Sequence, residues 1–267
     1  GGGCTLALDW EECSAEVACP AGYACRSGEC RTDTSAKPRI DVTQSISVNT
    51  TWTSDNDYVL KDVIFVAPNA TLTIRSGTTI YGEQASALVV RAGGRIDARG
   101  TKNEPVVFTS AKPIGERAPA DWGGVVLLGK ATVNLPDASF EGIEDTALGA
   151  YGGTDDGWGC GVMQFTRVEF GGYAILAEAE YNGLTLAGCG SATLIDHVQV
   201  HKSGDDGVQI LGGTVGVKHL VLTDIVKDGL DWEYGWRGIG QFIVVQQGDD
   251  DENAFESASN EDDFEAT

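Results

Sequence analysis

Three stretches near the end of the chain repeat one another: HVQVHKSGDDGVQI (197–210), HLVLTDIVKDGLDW (219–232) and FIVVQQGDDDENAFE (242–256). They begin 22 and 23 residues apart, and in each a short apolar strand leads into an Asp-rich corner and a second apolar run. Self-similarity at a fixed period of this length is typical of a solenoid, in which each copy forms one turn of a coil. We therefore predict stacked parallel strands over this part of the chain.

Stacking the copies places equivalent residues about 4.8 Å apart, which is the spacing of hydrogen-bonded strands. Acidic residues then line up in columns, provided that the third copy carries one extra residue. The alignment predicts a column of Asp206, Asp228 and Asp251, and a second column of Gln209, Asp231 and Glu256.

The composition narrows the range of functions. The chain has 267 residues with 40 acidic and 18 basic side chains, a net charge of −22. Because no basic stripe is present to replace phosphate counterions, we expect no binding to nucleic acid or to anionic membranes. The sequence also has no apolar run long enough to span a bilayer, so we expect no transmembrane segment.

Short β-branched strands and glycine-containing corners also precede the three copies, which indicates further turns of the coil. They read ATLTIRSGTTIYG (70–82), ALVVRAGGRIDARGTKNEPVVFTS (87–110) and WGGVVLLGKATV (122–133). These segments resemble a bacterial secreted family of right-handed parallel β-helix proteins, and the resemblance covers about residues 58–260. It implies an all-β, pectate-lyase-like solenoid, and no particular reaction, since the family is functionally uncharacterised.

The predicted organisation has four parts. These are a Cys-rich module at 1–31, a polar linker at 32–45, the parallel β-helix at 46–260 with a long loop at 136–161, and an acidic tail at 261–267.

Five cysteines crowd into the first thirty residues, a spacing that indicates a small disulfide-rich module and an oxidising compartment. Four of them can form two bridges in three connectivities: Cys13, Cys19, Cys25 and Cys30. Cys4 is bridged, free or lipidated. A zinc knuckle is the alternative, although paired CxxC elbows and a nearby His are missing. The segment resembles the Cys-rich starts of myxobacterial surface lipoproteins, which implies an extracellular or outer-surface location.

Residues 136–161 are rich in Gly and Asp and lack periodicity. We predict a loop that projects from one side of the coil, where binding residues usually lie. Cys160 ends this loop, and Cys189 follows little more than one turn of the coil later. We predict a disulfide between them, which Cα atoms more than about 7 Å apart would exclude.

The acidic columns form the candidate metal site. Ca²⁺ suits them because it takes about 6–8 oxygen ligands in flexible geometry, and because stacked carboxylates raise one another's pKa unless a cation lies between them. The alternative is that these residues cap corners through backbone hydrogen bonds and bind nothing. The candidate ligands are Asp205, Asp206, Asp228, Asp231, Asp249, Asp250, Asp251 and Glu256.

A catalytic interpretation is the alternative to a binding function. The segment Ser203–Gly207 resembles the paired-Asp element of polygalacturonases, which would assign roles to Asp205, Asp206, His201 and Arg237. Two carboxylates can act as acid and base in glycoside hydrolysis, whereas a lyase needs Ca²⁺ and a base. The other sequence elements of those hydrolases are missing, and the DDG corner recurs as a structural repeat.

Two aromatic groups complete the candidates. Trp232, Tyr234 and Trp236 alternate, so we predict that they share one strand face, where they stack on sugar rings or cover an apolar flank. Trp122 is predicted in the core. His197 and His219 occupy equivalent positions and would stack, and we interpret them as structural residues rather than as metal ligands.

The sequence therefore predicts an extracellular or surface-anchored β-helix protein that binds Ca²⁺ rather than catalysing a reaction. Its expected partners are a cell-surface glycan or copies of itself, joined through the coil ends into a fibre. The alternative is a polysaccharide lyase or glycoside hydrolase that acts on acidic polysaccharide.

Overall fold

The computed structural model describes residues 37–173, 181–248 and 252–259, and the backbone of two short strands, β1 (Ala24–Arg26) and β2 (Glu29–Arg31). These two strands pair antiparallel, with Cys25 opposite Cys30. The predictions made for the side chains of Cys4, Cys13, Cys19, Cys25 and Cys30, and for the tail at 261–267, lie outside the described residues.

The body of the chain is built from short strands and one helical turn. In chain order these are β3 (Arg39–Val42), β4 (Thr50–Trp52), β5 (Asp57–Leu60), β6 (Val63–Val66), β7 (Thr71–Ile74), β8 (Thr79–Gly82), β9 (Ala87–Val90), β10 (Arg95–Arg99), β11 (Val106–Ser110), β12 (Val125–Leu128), α1 (Thr146–Gly149), β13 (Gly161–Glu169), β14 (Leu184–Ala187), β15 (Leu194–His201), β16 (Val208–Leu211), β17 (Gly216–Thr223), β18 (Leu230–Glu233), β19 (Gly240–Gln246) and β20 (Phe255–Ser257).

These strands form a coil with three faces, and all their pairings are parallel. Sheet 1 contains β4, β7, β10 and the first halves of β13, β15, β17 and β19. Sheet 2 contains β3, β5, β8, β11 and the second halves of those four long strands. Sheet 3 contains β6, β9, β12, β14, β16, β18 and β20. The chain visits the sheets in this order on every turn, so the predicted right-handed parallel β-helix is confirmed.

Apolar side chains fill the inside of the coil in columns. In sheet 1, one column runs through Ile74, Ala98, Met163, Ile195 and Val217, which are consecutive partners across the strands and are almost fully buried. Alternate residues of a strand face the same side, so each strand adds one or two such residues to the core. Burial of each large aliphatic side chain contributes roughly 1.5–3 kcal/mol.

The long strands turn from sheet 1 into sheet 2 at a single residue in the left-handed conformation. These residues are Phe165, His197, His219 and Phe242, with φ of 47°, 55°, 51° and 60°. The strand ladder skips this position, since Gln164 pairs with Asp196 and the next partners are Thr166 and Val198. An unpaired residue of this kind bends a strand, and here the same bend recurs on four consecutive turns.

The sequence predicted that the loop between β12 and β13 projects from the coil, and this prediction is wrong. The loop instead covers sheet 3. Phe140, Ile143 and Tyr151 pack against the outward side chains of that sheet, such as Val89 and Val126. The two runs ALVV and VVLL are buried at every position. A strand that is covered on both faces reads as an unbroken apolar run, so the loop supplies a second, smaller core outside the coil.

Two local predictions are confirmed. Cys160 and Cys189 form a disulfide with Cα atoms 5.7 Å apart, and both residues are fully buried. Trp122 is also fully buried, and its indole Nε1 donates a hydrogen bond of 2.8 Å to the carbonyl of Glu169.

Gly82 provides a test of the packing around Trp122. A Cβ atom at this position would lie 2.5 Å from the Trp122 ring, so Gly82→Ala forces the buried indole to move. We expect a loss of about 1–3 kcal/mol in the free energy of unfolding, measured by urea denaturation. The control is Gly216→Ala, where the nearest atom is 3.6 Å away. Equal losses in both variants would contradict the packing described.

Candidate functional site

The acidic residues of the repeats lie at the corner between sheet 2 and sheet 3 and on the outer face of the sheet 3 strands that follow. We call the group of Asp205, Asp206, Asp228, Asp231 and Glu256 the acidic corner. On the outer face, Gln209 pairs with Asp231, and Asp231 pairs with Glu256. The predicted second column is therefore confirmed.

The predicted first column is only partly correct. The amide of Gly207 donates to the carbonyl of Asp228, and the amide of Gly229 donates to the carbonyl of Asn253. Asn253, and not Asp251, therefore occupies the position equivalent to Asp228. The corner of the third copy is longer than the alignment assumed, since β17 and β19 pair 23 residues apart whereas Leu230 pairs with Phe255. Asp249, Asp250 and Asp251 lie outside the described residues.

Two members of the acidic corner act as caps. The Asp205 carboxylate accepts a 2.8 Å hydrogen bond from the amide of Asp206 and a 3.3 Å hydrogen bond from Lys227 Nζ. The Asp206 carboxylate accepts a 3.1 Å hydrogen bond from the amide of Asp228. One turn earlier, Asn182, which the sequence did not single out, does the same for the amide of Asp206 at 3.1 Å. The corner-capping alternative therefore describes Asp205 and Asp206.

The other members retain unsatisfied oxygens. Asp228 is 2% exposed and Asp231 is 5% exposed. Each has one buried carboxylate oxygen, Oδ1, with no hydrogen-bond partner among the described residues. The other oxygen of Asp231 is 3.5 Å from the Gln209 amide nitrogen, and the Glu256 carboxyl is hydrogen-bonded to Asp228. A hydrogen bond between two carboxyl groups requires a proton on one of them.

The corner holds protons more tightly than isolated carboxylates do. Burial, reinforced by the nearby carboxylates, raises the pKa of Asp206 to about 7 and that of Asp231 to about 7. The hydrogen bond to Asp228 raises the pKa of Glu256. Desolvation and like charges both disfavour the ionised form, so near neutral pH this corner is either partly protonated or neutralised by a cation.

The structure does not assemble the four residues of the catalytic alternative. Asp205 and Asp206 precede sheet 3, whereas Arg237 follows it, on the opposite side of that sheet. Arg237 is paired with Asp156 of the covering loop at 3.1 Å. His201 lies 2.7 Å from the Thr223 hydroxyl, and burial lowers its pKa.

The three aromatic residues do not share one face, contrary to the prediction. β18 ends at Glu233, and Tyr234 has a left-handed conformation with φ of 48°. Trp232 and Trp236 pack against the inside of the coil, with ring centroids 5.9 Å apart, while Tyr234 packs against the outer core. The two tryptophans are half-buried parts of the core rather than an open platform.

The predicted stacking of His197 and His219 is confirmed, with ring centroids 4.3 Å apart, but the sequence did not identify Asp196 as the third member of their cluster. Among the described residues, Asp196, His197 and His219 are the one group of three metal-ligating side chains whose donor atoms lie within 4.8 Å of one another. No three carboxylates of the acidic corner meet that condition. The signal in the sequence was an Asp directly before the first of two histidines at equivalent positions.

The fold defines a class of protein, the right-handed parallel β-helices. The chain belongs to the family described as the pectate-lyase-like beta helix domain, whose model matches residues 44–267. No curated protein and no solved structure matches the chain.

The raised pKa of Asp231 predicts how stability depends on pH. A carboxyl group whose pKa is higher in the folded chain than in the unfolded chain stabilises the fold fully below about pH 4. That contribution is lost as the pH rises towards 7. Asp231→Asn keeps the neutral form at every pH, so we expect the variant to be more stable than the wild type at pH 8, by on the order of 2 kcal/mol, and similar at pH 4.

The measurement is urea denaturation at several pH values. Asp55→Asn, at an exposed turn far from Asp231 in the chain, is the control. Its free energy of unfolding should show no pH-dependent gain over the wild type. If Asp231→Asn is less stable than the wild type at pH 8, the ionised form of Asp231 does not destabilise the fold, and the prediction is wrong.

Proposed function

We propose that this protein is an extracellular, non-catalytic β-helix whose acidic corner binds a divalent cation, with Ca²⁺ the ion that its oxygen ligands suit. The observation that supports this proposal is the pair of buried carboxylate oxygens, on Asp228 and Asp231, without hydrogen-bond partners among the described residues. Buried ionised groups are normally paired or bound to a cation, because leaving them unpaired costs several kcal/mol.

The ligand set fits a weak calcium site rather than a tight one. Asp228, Asp231 and Glu256 offer carboxylate oxygens on neighbouring turns, and Gln209 adds an amide beside Asp231. Since no three of these carboxylates converge, an ion would take at most two of them and complete its shell with carbonyl oxygens and water. Sites with few charged ligands bind Ca²⁺ at about 10⁻⁴–10⁻³ M, the range of extracellular modules.

Protons compete with the ion for this corner, because the pKa values of Asp206, Asp231 and Glu256 are raised. A cation that binds these carboxylates must displace the protons, so its affinity falls as the pH drops below those pKa values. The proposal therefore includes a pH dependence that a general surface effect of salt would not produce.

One further observation supports an extracellular location, since the buried Cys160–Cys189 disulfide is typical of oxidising compartments. As a separate finding, no helix in the described part of the chain is long and apolar enough to cross a bilayer.

We expect Ca²⁺ to stabilise the protein at pH 8 and to have little effect at pH 5. At a concentration about ten times the dissociation constant, the gain in the free energy of unfolding is about 1.4 kcal/mol. Thermal unfolding with added Ca²⁺, and with a chelator, measures this effect. Mg²⁺ is the control ion, and it should act more weakly because it dehydrates reluctantly.

Asp231→Asn should remove the response to Ca²⁺, while Asp55→Asn should retain it. Calorimetry in buffers of different ionisation enthalpy should also detect protons released on binding. A wild-type protein whose melting is insensitive to Ca²⁺ at pH 8 would refute the calcium site.

Association with a second copy is a second candidate function, favoured by exposed apolar side chains on the last and first described turns of the coil. Ile239, Phe242 and Phe255, on or beside β19 and β20, are 75%, 60% and 50% exposed. On the first described turn, Ile40 and Val48 are 41% and 67% exposed. Exposed apolar side chains that lie together mark a surface for association with another chain, and joining these two surfaces in successive copies gives a head-to-tail fibre.

Ile239→Lys should weaken this association, because it replaces the most exposed of these apolar side chains with a charged one. Sedimentation velocity over a wide concentration range measures the shift towards monomer. Leu194→Lys, at an exposed residue on the side of the coil, is the control. A wild-type protein that remains monomeric at the highest concentration would exclude the fibre.

A glycan ligand and the lyase or hydrolase activity remain predictions. The half-buried packing of Trp232 and Trp236, and the separation of Arg237 from Asp205 and Asp206, give neither of them direct support. For this reason the binding function is the one that we propose.

A further inference from the structure

The bend between sheet 1 and sheet 2 carries a ladder of rings. Phe165, His197, His219 and Phe242 stack in this order, with ring centroids 4.5, 4.3 and 5.0 Å apart. The two histidines are the central members and the phenylalanines lie on either side. Stacking on both sides restricts the planes of the two imidazole rings.

Asp196 lies against both imidazoles. Its Oδ1 is 2.9 Å from Nδ1 of His197 and 2.8 Å from Nδ1 of His219. Its other oxygen is 3.4 Å from the amide nitrogen of Gln164, one turn earlier. Alternation along a strand would place residues 196 and 197 on opposite faces, and the left-handed backbone of His197 instead brings the two side chains together.

The carboxylate occurs on one of these four turns, that of His197. The positions equivalent to Asp196 on the neighbouring turns are Gln164, Lys218 and Gln241. The turn of His219 therefore carries a basic residue at this position, and the Lys218 Nζ lies 5.6 Å from the centroid of the Phe242 ring. Nitrogen and oxygen donors are concentrated at one place along an otherwise repeating surface.

We propose that Asp196, His197 and His219 form a binding site for a borderline divalent transition-metal ion, with Zn²⁺ as the representative ion. Two imidazole nitrogens and one carboxylate oxygen are ligands that Zn²⁺ accepts in tetrahedral geometry, with a fourth position left for water or a partner. The side chain of His197 is 42% exposed and that of His219 is 36% exposed, so the site is open to solvent.

The site is distinct in chemistry from the acidic corner. Imidazole ligands favour Zn²⁺ over Ca²⁺, whereas a corner that offers only oxygen atoms favours Ca²⁺. The inference therefore stands independently of the proposed function, and either one can fail without the other.

Metal binding requires a defined change in the two rings. Each Nδ1 now lies at hydrogen-bonding distance from Asp196, and a neutral ring that donates there carries its proton on Nδ1. A ring that ligates through Nδ1 must carry its remaining proton on Nε2. The ion would lie between the two Nδ1 atoms and Oδ1, with Gln164 holding the carboxylate from behind.

The first test is the ¹⁵N chemical shifts of the histidine rings, recorded with and without Zn²⁺. The chain contains only three histidines, and His201 serves as an internal control because its Nδ1 lies beside the Thr223 hydroxyl. We expect Nδ1 of His197 and His219 to shift to metal-bound values and His201 to remain unchanged. Unchanged rings at saturating Zn²⁺ would overturn the proposal, and this measurement needs no variant.

The second test is Zn²⁺ titration of variants by competition with a chelating dye. His219→Gln and Asp196→Asn should each weaken binding at least about tenfold, since even residues that only support a ligand contribute that much. His201→Gln is the matched control and should retain the wild-type affinity. Equal affinity in His219→Gln would place the ion elsewhere, as would a loss in Asp231→Asn, and either result would refute the site.

Discussion

The coil of this protein depends on the requirement that equivalent residues lie directly above one another at the spacing of paired strands. In a coil of parallel strands, a residue type that repeats in the sequence becomes a column in space. A column of aliphatic residues, such as Ile74 to Val217, forms a continuous core. A column of charged residues has no such benefit, because each member repels its neighbours.

The structure resolves this repulsion in a different way at each position. Asp205 is compensated by Lys227, and Asp206 by a backbone amide. Asp228 and Glu256 share a hydrogen bond, which requires a proton. At the bend, the stacked residues are the bases His197 and His219, and a single acid, Asp196, lies against both rings. Both candidate ion sites therefore arise because equivalent residues stack, one as a column of acids and the other as a pair of bases beside one acid.

Much of the fold could be predicted from the sequence, because periodicity and register depend on spacing alone. The spacing identified the column of Gln209, Asp231 and Glu256, and the Cys160–Cys189 bridge followed from the length of one turn. The position of Asn253 could not be predicted, since the additional residues lie in an irregular corner where no alternation fixes the count.

The sequence also failed where the backbone departs from strand geometry. Alternation assigned Asp196 and His197 to opposite faces, but a left-handed residue at the bend overrides alternation. The same reason separates Tyr234 from Trp232 and Trp236. The sequence does not predict that the loop covers the coil, because Phe140 and Ile143, which anchor it, are sparse among glycine and acidic residues.

The loop that packs on sheet 3 gives the coil an inaccessible side. Over the turns where Phe140, Ile143 and Tyr151 cover the outward residues of this sheet, an elongated molecule lying along the coil would find no exposed strand surface. The rings of the bend, in contrast, lie between sheets 1 and 2, away from the loop. Over these turns, a partner that lies along the coil would therefore contact sheet 1 or sheet 2, the two faces that meet at the histidine bend.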